Sequence, residues 1–275
     1  MTINCGGQLL DLNTPKIMAI LNLTPDSFYD GGKFKENSKI LNLIEKNIQN
    51  GMDILDIGAY SSKPNAVEVS VEEEKQRLLP VLTLIRKEFP EIIISIDTFR
   101  ASVAAESIDI GAQIINDISA GNLDSEMMKT IAEFQVPYIM MHMRGTPQNM
   151  NTFTNYENLE QDILFYFSEK INEARKLGIN DLILDPGLGF AKTANQNFQI
   201  LNHLSIFKNT DLPILIGLSR KSMIYKSLDI TAKDALNGTT ALNMAALMNG
   251  ANILRVHDVL EAKQCVTLFN EMKHN

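Results

Sequence analysis

The sequence predicts a closed β/α barrel, the TIM (β/α)8 fold. Eight short apolar runs recur along the chain, and nearly every one is followed by a longer stretch with helical periodicity. In addition, 275 residues that are 45% hydrophobic supply enough material for one large core. The whole chain, 1–275, is therefore read as a single domain.

The runs lie at 17–21, 53–57, 92–96, 113–115, 138–141, 182–184, 214–217 and 252–256, each bounded by Gly, Pro, Asn or Asp. Between them, apolar residues fall three and four apart, as in Leu41, Ile44 and Ile48 or Leu159, Ile163, Phe167 and Ile171. That spacing predicts helices with one buried face. Strands separated by helices pair in parallel, because a parallel neighbour needs a crossover connection. An open doubly wound sheet should carry a glycine-rich phosphate turn after its first strand. That turn reads Asn22-Leu23-Thr24-Pro25-Asp26-Ser27, so closure into a barrel is preferred. The polar stretch 144–156 suits a long loop at a site, and helices near the C-terminus, 234–248 and 259–272, carry apolar residues for packing or for an interface.

A net charge of −8 argues against nucleic acid or an anionic membrane as the main partner. An anionic ligand would have to be met by a local cluster of cations. No basic segment leads into a short apolar run at the N-terminus, and no stretch approaches the roughly 18 apolar residues of a membrane span, so a cytoplasmic protein is expected. Cys5 and Cys265 stand far apart and outside any ligand spacing, and are read as free thiols.

A barrel of this type forms its site at the C-terminal ends of its strands. There the sequence places Asn22, Asp56 with Gly58, Asp97, Asn116-Asp117, His142, Asp185, Ser219-Arg220-Lys221, and Arg255 with His257. One polar residue after one strand is usually a cap or turn former. Eight together point to a site. Asp56 and Asp117 divide evenly between structural and functional roles, and His142 between a structural hydrogen bond and a ligand contact. His203 and His274 read as surface, Met127 and Met128 as core. Arg220, Lys221, Arg255 and His257 follow the last two strands, where barrels often bind phosphate, and predict a phosphorylated or pyrophosphorylated substrate.

Taken as strings, these segments resemble the dihydropteroate synthase family from one end of the chain to the other. The first is Ile20-Leu21-Asn22-Leu23-Thr24-Pro25-Asp26-Ser27-Phe28 with Asp30-Gly31-Gly32. The second is Asp53-Ile54-Leu55-Asp56-Ile57-Gly58 with Ser61-Ser62-Lys63-Pro64. Ser95-Ile96-Asp97, Asn116-Asp117-Ile118-Ser119, His142-Met143-Arg144-Gly145-Thr146-Pro147 and Leu184-Asp185-Pro186-Gly187-Leu188-Gly189-Phe190 continue the match. Ser219-Arg220-Lys221-Ser222 and Arg255-Val256-His257-Asp258 complete it.

The resemblance implies a folate-synthesis transferase, which moves a pterinylmethyl group from 6-hydroxymethyl-7,8-dihydropterin pyrophosphate to p-aminobenzoate. It further implies that Asp185 and Asn116 read the edges of the pterin, Lys221 contacts the ring carbonyl, Arg255 stacks on the ring, and Met140 and Phe190 wall the pocket. By the same resemblance Asn22 is a ligand of Mg2+, and Arg255, Val256 and His257 hold the leaving pyrophosphate. Asp97 stabilises a pterin cation formed as the carbon–oxygen bond breaks early. Asp30 and Lys63 close over the site on the first two loops. Phe28, Ser62, Pro64 and Ser222 match the pocket for p-aminobenzoate, the substrate that sulfonamides mimic. The family also implies a homodimer.

The second loop departs from the common family form, Gly-Glu-Ser-Thr-Arg-Pro-Gly. Lys63 replaces an arginine and loses its bidentate fork, Ser62 replaces a threonine, and Asn65 replaces a glycine. Ala191 stands where the family usually has glycine. Three rival readings are weighed. A pterin-dependent methyltransferase should lack Thr24-Pro25-Asp26-Ser27-Phe28 and Ser219-Arg220-Lys221. An aldolase would use Lys221 as a Schiff-base nucleophile. An inactive pterin-binding homologue would bind without turnover.

Overall fold

A computed structural model describes residues 1–23, 33–60 and 69–274. Phe28, Asp30, Ser62, Lys63 and Pro64, expected at the site, lie outside the described residues.

Two strands not expected from the sequence open the chain. β1 (Thr2–Cys5) and β2 (Gln8–Asp11) form an antiparallel hairpin. The barrel strands follow: β3 (Lys16–Asn22), β4 (Ile54–Gly58), β5 (Ile93–Asp97), β6 (Ile114–Asp117), β7 (Tyr138–Met141), β8 (Leu182–Asp185), β9 (Leu215–Ile216) and β10 (Ile253–Val256). They pair in parallel in the order β8-β7-β6-β5-β4-β3-β10-β9. A parallel bridge between Leu184 and Ile214 joins the two ends, so the sheet closes on itself as the sequence predicts. The seventh run shrinks to the two residues of β9.

Alternation along each strand decides what the barrel holds. Leu21, Leu55, Ile96, Ile115, Met140 and Val256 turn outward into the cluster that packs on the helices. At the N-terminal end of the barrel Met18, Ile54, Ile93, Ile114, Ile139, Ile183, Leu215 and Ile253, one from each strand, form a separate apolar layer with Ile3, Cys5, Leu10 and Leu12 of the hairpin segment. Burial of each such aliphatic side chain contributes roughly 1.5–3 kcal/mol. The hairpin thus plugs the lower end, and Asn4 N–H bonding Asp181 Oδ2 at 3.1 Å and Asn252 Nδ2 bonding Leu12 O at 3.1 Å secure it. One step up, the same inward parity brings Asp56, Ser95, Asn116 and Arg255, so the interior changes from apolar to polar toward the C-terminal mouth.

The helices are α1 (Lys33–Gln49), α2 (Val71–Glu88), α3 (Ala101–Ile110), α4 (Met127–Phe134), α5 (Leu159–Lys176), α6 (Ala194–Asn202), α7 (Ser222–Ser227), α8 (Leu236–Met248) and α9 (Val259–His274). Ser70 caps α2 by accepting from Glu73 N–H, and Thr193 with Gln196 forms a capping box on α6. The expected apolar face of α5 is present, with Leu159, Ile163 and Phe167 buried. On α1 the buried set is Ile40, Ile44 and Asn47, whereas Leu41 is half-buried and Ile48 exposed, so of the expected face only Ile44 is fully buried and the stripe that meets the barrel is turned toward Ile40 and Asn47. Met127 and Met128 are core residues, both cysteines are free and buried, and His203 lies at the surface against Glu160.

Candidate active site

Three strands that are far apart in sequence meet through one carboxylate. Asp56, fully buried on β4, accepts from Arg255 Nε of β10 at 2.6 Å and from Asn116 Nδ2 of β6 at 3.1 Å, both on Oδ2. Its Oδ1 is buried without a hydrogen-bond partner among the described residues. Asp97 at the end of β5 accepts from Arg255 Nη2 at 2.6 Å. The guanidinium is therefore held in a plane by two carboxylates, a geometry that suits its planar fork. Gly58 pairs with Asp97 across β4 and β5, and a Cβ there would stand 3.3 Å from Asp97 Cβ. A Cβ on Gly217 would lie 3.8 Å from Arg255 Cβ and 4.0 Å from Lys221 Nζ, so these two cations flank one gap.

The turn after β8 forms the adjoining wall. Asp185 Oδ1 accepts from Gly187 N–H at 2.8 Å, and Lys221 Nζ donates to Leu188 O while lying 5.0 Å above the Phe190 ring. Gly187 has φ of +70°, and a Cβ there would stand 2.2 Å from His142 O, so only glycine fits. Ala191, at φ of +49°, occupies the left-handed region, which accounts for glycine as the usual residue at this position. Tyr156 Oη donates to Ala191 O at 2.9 Å, tying the long loop after β7 to this turn.

Burial sets the electrostatics. Desolvation pushes Asp97 up to about 7, against the pull of Arg255, and raises Asp185 against Lys221. It brings Lys221 down to about 8, although Asp185 opposes the shift. Burial alone would lower Arg255, but Asp56 and Asp97 hold it above the usual guanidinium range. A carboxylate and an ammonium both shifted toward neutrality at one mouth make this the candidate functional site.

Asp97, Asn116, Asp185, Phe190, Lys221 and Arg255 thus gather at the mouth of the barrel. Asn22 ends β3, half-buried, paired in register with Gly58. His257 is exposed, its Nδ1 3.1 Å from Ser219 Oγ, and Ser222 is exposed at the start of α7. Three expectations need correction. Met140 faces outward and is fully buried in the cluster beneath the helices. Its neighbour Met141 has the inward parity and packs with Ala191 and Phe190. Val256 also faces outward, leaving only its main chain to meet a ligand. Arg220 is committed to Asp258, with Nε–Oδ2 2.8 Å and Nη2–Oδ1 2.9 Å, and does not serve as a phosphate cation.

Asp56 resolves toward the site. Asp117 resolves toward structure, accepting from Ser119 N and Oγ, Gly121 N and Tyr138 Oη at 2.6 to 2.7 Å. Buried His142 meets Lys192 Nζ at 2.9 Å, a contact for which the sequence holds no signal. Met141 pairs in register with Asp185 across β7 and β8 and so shares its inward face, and the sequence signal for it is the alternation within the run 138–141.

The fold and the site define a (β/α)8 barrel whose C-terminal mouth gathers carboxylates and an amide beside two cations. A family profile described as pterin binding enzyme matches residues 18–257. Dihydropteroate synthase from Synechocystis is 43% identical over 88% of this chain and 85% of its own length. That from Escherichia coli is 40% identical over 97% and 94%. The Yersinia pestis dihydropteroate synthase, solved with a sulfonamide drug complex, superposes with a TM-score of 0.93 at 37% identity, covering 100% of both chains. The chain belongs to the dihydropteroate synthase family of pterin-binding enzymes.

Proposed function

We propose that the protein acts in folate synthesis as a dihydropteroate synthase, an alkyl transferase. It joins the methylene carbon of 6-hydroxymethyl-7,8-dihydropterin pyrophosphate to the amine of p-aminobenzoate, releasing pyrophosphate and a proton. The observation that carries this reading is the convergence of Asp97, Asn116, Asp185, Lys221 and Arg255 on one mouth. Asp185, an acceptor when ionised, suits the donor edge of the ring, and Asn116 can both give and accept. Arg255, held edge-on by Asp56 and Asp97, can present its face to the ring. Asp97 places negative charge where the pterin becomes cationic, while Lys221, Arg255 and His257 supply positive and donor groups toward the departing pyrophosphate. On this reading Phe28, Asp30, Ser62, Lys63, Pro64 and Ser222 complete the site on the acceptor side.

Among the described residues no group of three or more His, Cys, Asp or Glu is arranged to hold a metal. Mg2+ commonly takes few protein oxygens and fills its shell with water and substrate phosphates, so a single protein ligand is compatible with it. Asn22 would supply one oxygen, and the bound ion would neutralise charge on pyrophosphate. No described helix is long and apolar enough to cross a membrane, and a cytoplasmic location is retained. A homodimer is supported by Leu260, Leu268 and Met272, exposed along one stripe of α9, and by exposed Met248 of α8. The test is pyrophosphate release from the pterin substrate with and without p-aminobenzoate. Release that requires the acceptor supports the reading, and pterin binding without release would favour an inactive homologue.

A further inference from the structure

Lys192 follows the turn at 187–191, is only 7% exposed, and makes no ion pair among the described residues. Its Nζ is 2.9 Å from His142 Nδ1 and 3.1 Å from each of Gly187 O and Phe190 O. Three acceptors match the three protons of an ammonium, given an unprotonated Nδ1 on His142. The low side of the histidine range is where burial and the charges of Lys192 and Arg144 put that ring. The two carbonyls belong to the first residue of the turn and to the one that carries the aromatic ring at the pterin wall. His142 stands at the end of β7, next in the sheet. One buried lysine nitrogen therefore closes the turn on itself and ties it to the neighbouring strand.

An ammonium buried without a touching carboxylate is unfavourable, and burial pushes Lys192 down to about 7. The charges that face it are Asp185, which favours the ammonium, and Lys221 and Arg144, which oppose it. The strands on either side are held by their own ladder hydrogen bonds and do not depend on this lysine. Within the turn it acts beside the Phe190 N–H bond to Gly187 O at 3.1 Å and the Gly189 N–H bond to Asn197 Oδ1 at 2.7 Å, and it is the group that links two of the turn's carbonyls to His142. On the pterin reading above, we infer that Lys192 is a positioning residue for the ring subsite: its three hydrogen bonds set the 187–191 turn so that Phe190 and Asp185 meet the pterin together.

The test compares wild type with K192M, which keeps the length and loses the donors, and K192Q, which keeps a polar donor and covers the case in which K192M fails to fold. Binding of 6-hydroxymethylpterin is measured by calorimetry, and KM and kcat are measured for both substrates. We expect the pterin Kd and the KM of the pterin pyrophosphate to rise about tenfold in K192M and less in K192Q. We expect kcat within about threefold of wild type and the p-aminobenzoate KM within about twofold. A folded variant with a wild-type pterin Kd, or one whose two KM values rise equally, would overturn the inference. Wild-type protein that binds no pterin would instead remove the functional reading, and the inference with it.

Discussion

Replacing Asp56 by Asn isolates the contact on which the site geometry turns. The side chains are nearly isosteric, so no cavity opens, and the change is the loss of a charge that receives Arg255 Nε at 2.6 Å and Asn116 Nδ2 at 3.1 Å. Asp56 is fully buried and the Arg255 side chain is 19% exposed. Removing one partner of a buried pair costs about 3–5 kcal/mol. Here Arg255 keeps Asp97, and asparagine can still offer an oxygen, so the expected loss is about 2–3 kcal/mol. For a domain of this size that is a fall in Tm of roughly 5–10 °C. The freed guanidinium should also raise the pterin KM about tenfold. Thermal melts and denaturant titrations of D56N, R255M and the double variant give the coupling energy directly, expected at about 2 kcal/mol. If the two substitutions were additive to within about 0.5 kcal/mol, Asp56 would not be holding Arg255 and the reasoning would fail.

Asp97→Ala should abolish turnover, by about a thousandfold or more, while the fold persists, since Arg255 retains Asp56. Near wild-type rates in that variant would remove the role given to Asp97. The pH profile of kcat/KM for the pterin substrate should be bell-shaped. Protonating Asp97 below about 7 removes the stabilising anion, and deprotonating Lys221 above about 8 removes the cation. A profile flat from about pH 6 to 9 contradicts both assignments. Asp117→Ala, which strands four donors, should cost about 3 kcal/mol in denaturant unfolding yet leave the pterin KM of the folded fraction unchanged. Asn22→Ala should raise the Mg2+ concentration needed for half-maximal rate, and an unchanged titration would take Asn22 out of the metal's shell.

The barrel was legible because its signals are local. The alternation of short apolar runs with helical spacing survives in any window of the sequence, and the rule that chemistry sits at strand ends then pointed to Asp97, Asn116, Asp185, Lys221 and Arg255. Met140 rests on the resemblance alone, and the alternation of side chains along β7, with Ile139 facing inward, assigns the inward place to Met141 instead. The hairpin of β1 and β2 carries its own short signal, polar–apolar alternation over Thr2–Cys5 and a Gly6-Gly7 turn, but it lies outside the eightfold repeat, and only the structure shows that it seals one end of the barrel.

By itself, then, the sequence determined the closed parallel barrel, the end at which its polar residues collect, and the family whose strings it carries. Only the tertiary structure decided that Asp56 shares Arg255 with Asp97, that Arg220 is spent on Asp258, and that Lys192 reaches His142. These pairings join residues 38 to 199 positions apart. Which partner a buried charge finds depends on the closure of the barrel and on which acceptors desolvation leaves within reach, and no local pattern encodes either.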